Sequence, residues 1–147
     1  MTTSHSYRIS RVINAPLRFV YSWCVDFRED DPMIWGSKAK RMILEKTKRR
    51  VIYMSTHRRR RRTIAVVRIV TLRRPDAWHL DLVGQERDEI GDYHLTRLGP
   101  RKTRLEITFR ANYRIANAPT KEEDTKLTNK TWDKYIAALE RDYEHSR

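Results

Sequence analysis

Between Thr103 and Arg114 the chain alternates without a break. Leu105, Ile107, Phe109, Ala111 and Tyr113 fall on one side of an extended strand; Arg104, Glu106, Thr108, Arg110, Asn112 and Arg114 fall on the other. Successive strand side chains point to opposite faces, so this segment suits a sheet that is dry on one face and wet on the other. The dry face needs a cover, and residues 120–145 can supply it. Thr120 and Glu123 form a T-x-x-E capping pattern, and Glu122, Glu123 and Asp124 suit the positive end of a helix dipole, as His145 and Arg147 suit the negative end. Neither Gly nor Pro interrupts the segment, and Leu127, Thr131 or Trp132, Tyr135, Ile136, Leu139 and Tyr143 recur at helical spacing. A helix of about 25 residues is roughly 37 Å long, enough to cross a whole sheet.

The remaining elements follow from the same periodicities. Tyr7, Ile9 and Ile13 share one face of a first strand over 5–14. Pro16 then opens a helix over about 16–27, with Leu17, Val20, Tyr21, Cys24 and Phe27 along one stripe. Residues 28–37, with Pro32 and Gly36, read as a loop holding at most one short helical turn. Strands are expected over 39–47, 50–57, 63–73, 77–84, 88–98 and 103–115, with tips of two to five residues between them. Tips that short join antiparallel neighbours, because parallel strands need crossovers of about a dozen residues or more.

At 147 residues the chain has the length of one domain, 1–147. Its single cysteine, Cys24, excludes an intrachain disulfide framework and fits a reducing compartment. No apolar run approaches a membrane span of about 20 residues, and the polar start MTTSHSYRIS does not resemble a secretory signal. A cytoplasmic location is therefore expected. The formal charge is +13, but it is unevenly placed: residues 38–74 hold 15 Lys and Arg and one acid, Glu45. Such a region favours an anionic partner, whether nucleic acid, an acidic lipid surface or a small anion, or it keeps hairpin tips and strand edges soluble.

Two stretches carry a resemblance. Arg11 to Tyr21, RVINAPLRFVY, is similar to the strand end "I-x-A-P" and following amphipathic helix of the START-like superfamily, the polyketide cyclase/dehydrase and lipid-transport (SRPBCC) group. Gly91 to Leu98 followed by Lys102-Thr103-Arg104-Leu105-Glu106-Ile107 resembles its penultimate hairpin, with Lys102 where the family usually has glycine. The resemblance implies an α+β, helix-grip fold: a curved seven-stranded antiparallel sheet wrapped around a long C-terminal helix, with an apolar cavity between them. It further implies binding of a hydrophobic molecule such as a lipid, a sterol or a polyketide, or, in some members, cyclisation of a polyketide. Fold alone does not choose among these.

The residues narrow the chemistry. His5, His57, His79, His94 and His145 form no ligand-like pairs, so no metal is expected. Four glycines make no phosphate loop, and no cofactor is expected. Cys24 lies on an apolar stripe and reads as a structural thiol. Strand parity turns Arg11 inward with Ile9 and Ile13, and Arg97 inward with Tyr93 and Leu95, while His79, Asp81 and His94 face out. An inward arginine either anchors a ligand carboxylate or phosphate, or sits near a cavity end and stays solvated.

The candidate lining comes from four places. Trp78, Leu80 and Leu82 lie on one strand, and Tyr93 and Leu95 on the next. Leu105, Ile107, Phe109 and Tyr113 belong to the last strand, and Trp132, Ile136 and Leu139 to the final helix. Arg58, Arg59, Arg60, Arg61 and Arg62 form one hairpin tip at the end of the sheet where that helix begins, which the resemblance makes the cavity mouth. There they are expected to attract an anionic amphiphile or membrane surface. The leading expectation is thus a binder of a hydrophobic, anionic small molecule or lipid. The alternatives are a nucleic-acid-associated protein using the 38–74 patch and a polyketide cyclase or aromatase-like enzyme in the same cavity.

Overall fold

The computed structural model describes residues 3–147. Seven strands form one antiparallel sheet: β1 (Thr3–Ile13), β2 (Lys40–Lys46), β3 (Arg50–Arg59), β4 (Arg62–Arg73), β5 (Ala77–Gly84), β6 (Arg87–Gly99) and β7 (Lys102–Tyr113). Their order across the sheet is β1-β7-β6-β5-β4-β3-β2. Helix α1 (Leu17–Cys24) and a short 3₁₀ helix (Asp31–Trp35) carry the chain from one edge strand to the other, and helix α2 (Lys121–His145) returns across the concave face. This is the α+β architecture expected, a curved antiparallel sheet gripping a long helix.

Register sets which side chains face α2. Tyr7 pairs with Phe109, Ile9 with Ile107 and Arg11 with Leu105; Tyr93 pairs with Ile107 and with Trp78 on its other side. The concave face therefore collects the alternating apolar positions of every strand, and Ile13, Leu82, Leu95, Leu105, Ile107 and Leu139 are fully buried there. At one end the sheet is plugged. Helix α1 brings Val20 and Tyr21 onto it, and Thr103 Oγ1 donates to the Ala15 carbonyl at 2.8 Å.

Helix α2 is fixed along its length. Its capping box is complete, with the Glu123 amide donating to Thr120 Oγ1 and the Thr120 amide to the Glu123 carboxylate. The Asn14 amide donates to Glu140, and Trp23 Nε1 to Asp142 at 2.8 Å.

Two expected boundaries move, and one expected stripe position turns out exposed. Helix α1 ends at Cys24 instead of running to residue 27, because the chain leaves it at Val25 and extends. Phe27 still meets the core, 5.6 Å from the Tyr53 ring. The arginine tip shrinks from five residues to two, because the β3–β4 ladder continues through Arg58–Thr63 and Arg59–Arg62. Arg60 then takes the left-handed region, φ 60°. On α2, Leu127 is exposed instead of buried in the stripe. Strand β2 carries a bulge between Ile43 and Glu45.

Leu139 sits at the centre of the plug with no exposed surface. Leu139→Ala is expected to destabilise the fold by about 3 kcal/mol, since the cavity left behind adds to the lost transfer energy. Urea unfolding should show a lower midpoint with an unchanged slope.

Candidate functional site

Away from the plug, α2 stands clear of the sheet and a hollow of about 880 Å³ remains beneath it. Its middle is aromatic. Trp78 and Tyr93 stack at 4.8 Å and 12°, Phe109 meets Tyr93 edge-on at 5.8 Å, and Trp132 faces Tyr93 from the helix at 6.4 Å. Gly91 makes room for this arrangement: a Cβ there would approach Tyr93 and Phe109 ring carbons at 3.0 and 3.3 Å.

The wall under β2–β4 is cationic and phenolic. Arg41 is held by Asp31 at 2.6 Å and lies 4.3 Å over the Tyr53 ring, its side chain only 6 % exposed and its Nε without a partner. Arg68 lies 5.7 Å from the same ring and donates a long hydrogen bond to Ser55 Oγ at 3.4 Å. Among the described residues no carboxylate pairs with Arg68. Tyr135 closes this side, packed on Trp35 of the 3₁₀ helix at 5.1 Å. Burial pushes the Tyr93 and Tyr135 phenols up, so both stay protonated donors at neutral pH.

The wall under β6, β7 and β1 is acidic. Asp124, 5 % exposed, accepts from the Tyr113 hydroxyl at 2.9 Å and sits 2.6 Å from His5 Nε2. Tyr7 donates to Glu89 at 3.0 Å and contacts Thr128 Oγ1. Burial and the neighbouring Glu89 charge push the Tyr7 phenol up. Arg87, whose Nε is buried and unpartnered, lies 3.8 Å from Glu89. Cys24 also borders the hollow, and burial pushes its thiol up, which leaves little thiolate for chemistry.

The expected lining divides in two. Trp78, Leu80, Tyr93, Phe109, Tyr113 and Trp132 border the hollow. Leu95, Leu105, Ile107, Ile136 and Leu139 do not, because they belong to the solid plug that α1 and the second half of α2 build. Leu82 is buried on the sheet in register between the longer Arg68 and Glu89.

Neither inward arginine reaches the hollow. Arg11 has the expected parity, but it meets the flank of α2, donating to the Asn129 carbonyl at 3.0 Å and to Asp133 at 2.5 Å. Arg97 is exposed beside the β6 irregularity at Arg97–Gly99, past the end of the core.

Of the arginine run only Arg59 rims the hollow, where it ties the β3–β4 tip to Glu86 of the β5–β6 tip at 3.2 Å. Arg58, Arg60, Arg61 and Arg62 are exposed. The residues that sequence reasoning passed over are Tyr7, Arg41, Tyr53, Arg68, Glu89, Asp124 and Tyr135. The signal for several was present, since Glu89 shares parity with Tyr93, Arg68 with Val66 and Val70, and Asp124 lies four residues before Thr128 on the inner stripe of α2.

No protein-family model matches the sequence, and no curated protein matches it. Solved structures do. The Zhui aromatase/cyclase of Streptomyces sp. R1128 superposes with a TM-score of 0.73 at 13 % identity, covering 97 % of this chain and 94 % of its own. A START superfamily protein of Mycobacterium smegmatis gives 0.71 at 17 % identity, with 97 % and 99 % covered. The major latex-like protein 151 of Panax ginseng gives 0.67 at 9 %, with 92 % and 97 % covered. The chain has the START-like, helix-grip fold, and at these identities the likeness speaks for the fold alone. No helix among the described residues is long and apolar enough to cross a membrane.

Asp124 is the buried charge that fixes the start of α2 to β1 and β7. Asp124→Ala leaves His5 and Tyr113 without their acceptor and is expected to cost about 3 kcal/mol. Chemical denaturation of the two proteins side by side measures this, and a cost indistinguishable from zero contradicts the assigned role.

Proposed function

We propose that this protein holds a hydrophobic small molecule bearing an anionic group in the hollow between the sheet and α2. The observation that carries this reading is Arg68. It is a guanidinium on the wall of an aromatic hollow, with a single weak hydrogen bond and no carboxylate partner among the described residues. A cation in such a place is costly unless something compensates it, and a ligand carboxylate or sulfonate would do so. The volume supports the reading, since small-molecule sites span about 300–1,000 Å³. The surroundings also support it: Trp78, Tyr93, Phe109 and Trp132 offer flat faces to an aromatic or polyene body. Tyr53, Tyr93 and Tyr135 are phenols on the same side of the hollow, and two of them are held protonated by burial, suited to donating to an oxyanion. The structural neighbours that share the fold include an aromatase/cyclase, which agrees with a hollow used for such molecules.

Anilinonaphthalene sulfonate, an anionic aromatic dye, tests the reading. It should bind the folded protein with a fluorescence rise, and Arg68→Gln should weaken binding about tenfold to a hundredfold, the range of a charge-assisted hydrogen bond. A neutral anilinonaphthalene should be indifferent to the same change. Equal binding of the sulfonate to both proteins would remove Arg68 from the site. Native mass spectrometry of the freshly purified protein reports any ligand carried along, and an aromatic product from a poly-β-ketone thioester would reassign the hollow to cyclisation.

A further inference from the structure

The convex face of the sheet is not uniform. Over β6, β7 and β1 it is polar, with Asp88, Asp92, Glu106, Thr108, Arg110 and Ser6 facing outward. Over β2–β4 it is largely aliphatic, and Val83 of β5 and Ile90 of β6 extend the apolar area around the outward His79 and Asp81. One row runs straight across four strands in register, Met42–Met54–Val67–Val83. In the next, Ile52 and Ile69 pair in register, the row continues through Asp81 of β5 to Ile90 of β6, and Leu44 lies at the bulge beside it. Strands β3 and β4 are thus apolar on both faces, a pattern that elsewhere marks strands covered on both sides. Here α1, α2 and the 3₁₀ helix all lie on the concave side. Met42 and Leu44 are each 53 % exposed, Val83 is 55 % and Ile90 is 44 %.

Cations stand at both ends of this aliphatic block. Lys40, Arg58, Arg60, Arg61 and Arg62 border one end, and Lys48, Arg49 and Arg73 the other. Among the described residues, none of these forms an ion pair, whereas Arg50 and Arg59 are taken by Glu45 and Glu86. We infer that this face of β2–β5 docks on an anionic phospholipid surface, its aliphatic rows seated at the headgroup–acyl boundary and its arginines on lipid phosphates.

The competing occupants fit less well. A second copy would bring like-charged ends together. Nucleic acid would place phosphates over aliphatic rows, and the His79 ring on this face is held between Asp81 and Asp92, whose carboxylates would repel a phosphate backbone. A protein partner would need a matching concave surface, whereas a fluid bilayer accepts a convex one. This inference is independent of what the hollow holds.

Flotation with vesicles distinguishes the occupants. At low salt the protein should float with vesicles of equal parts phosphatidylcholine and phosphatidylglycerol, and not with phosphatidylcholine alone. Replacing Arg58, Arg60, Arg61 and Arg62 by Gln should weaken association about a thousandfold and flatten its salt dependence. The pair Met42→Gln and Val83→Thr, neutral in charge, should weaken it about tenfold with the salt dependence kept. Circular dichroism melts establish that each variant is folded, and Ile90→Thr replaces the pair should it not be. The inference is overturned if the aliphatic changes leave vesicle binding intact. It is equally overturned if neutral vesicles bind as well, if no vesicle binds, or if duplex DNA or an acidic polypeptide at the same salt binds more tightly than the anionic vesicles.

Discussion

Helix α2 is tied down at its ends, and the hollow exists because of where those ties fall. At its start the buried Asp124 binds His5 of β1 and Tyr113 of β7. Along its flank Arg11 holds Asp133. Toward its end Ile136 and Leu139 join the plug, and Glu140 and Asp142 receive hydrogen bonds from Asn14 and Trp23. A straight rod fixed in this way to a curved sheet spans it as a chord spans an arc, and the space beneath the chord is the site. Its size is set by the curvature of the sheet and by the rings that project into it.

The two walls of that space differ because the strands on either side differ in charge. Strands β2–β4 come from the basic stretch of the sequence, and their inward positions include Arg41 and Arg68. Strand β6 and the start of α2 contribute Glu89 and Asp124. The acidic groups are already engaged by Tyr7, Tyr113 and His5, so their hydrogen-bonding capacity is largely spent within the protein. The cationic wall keeps unspent capacity in the Arg68 guanidinium, which gives the hollow a chemical direction.

Much of the architecture was legible in the sequence, because period-two and helical patterns report directly on burial. The alternation through β7 and the capping box at Thr120 located both partners of the central packing. Parity also put Arg11 on the concave side, but parity says only which face a residue takes, not what lies opposite. Arg11 meets the helix flank, and Arg97 runs past the end of the core. The division of the lining into hollow and plug depended on where α1 lands, a fact of tertiary packing that no strand pattern contains. The importance of Arg68 was hidden for a related reason. It stands among fifteen basic residues in one stretch of chain, and only the fold separates the one that points inward from the many that point to solvent.

The bulge in β2 has a consequence for self-association. Strands β3 and β4, apolar on both sides, are the part of the chain best suited to stacking into fibrils. They are shielded laterally by β2, the edge strand, whose ladder is broken at Leu44 and whose ends carry Lys40 and Lys46. A neighbouring molecule meeting that edge finds an interrupted row of amides and carbonyls between the Lys40 ammonium and the Lys46–Asp26 ion pair, a poor template for adding a strand. Peeling β2 away, by proteolysis or truncation, would lay open the most aggregation-prone segment of the molecule, so this short edge strand acts as a guard on solubility.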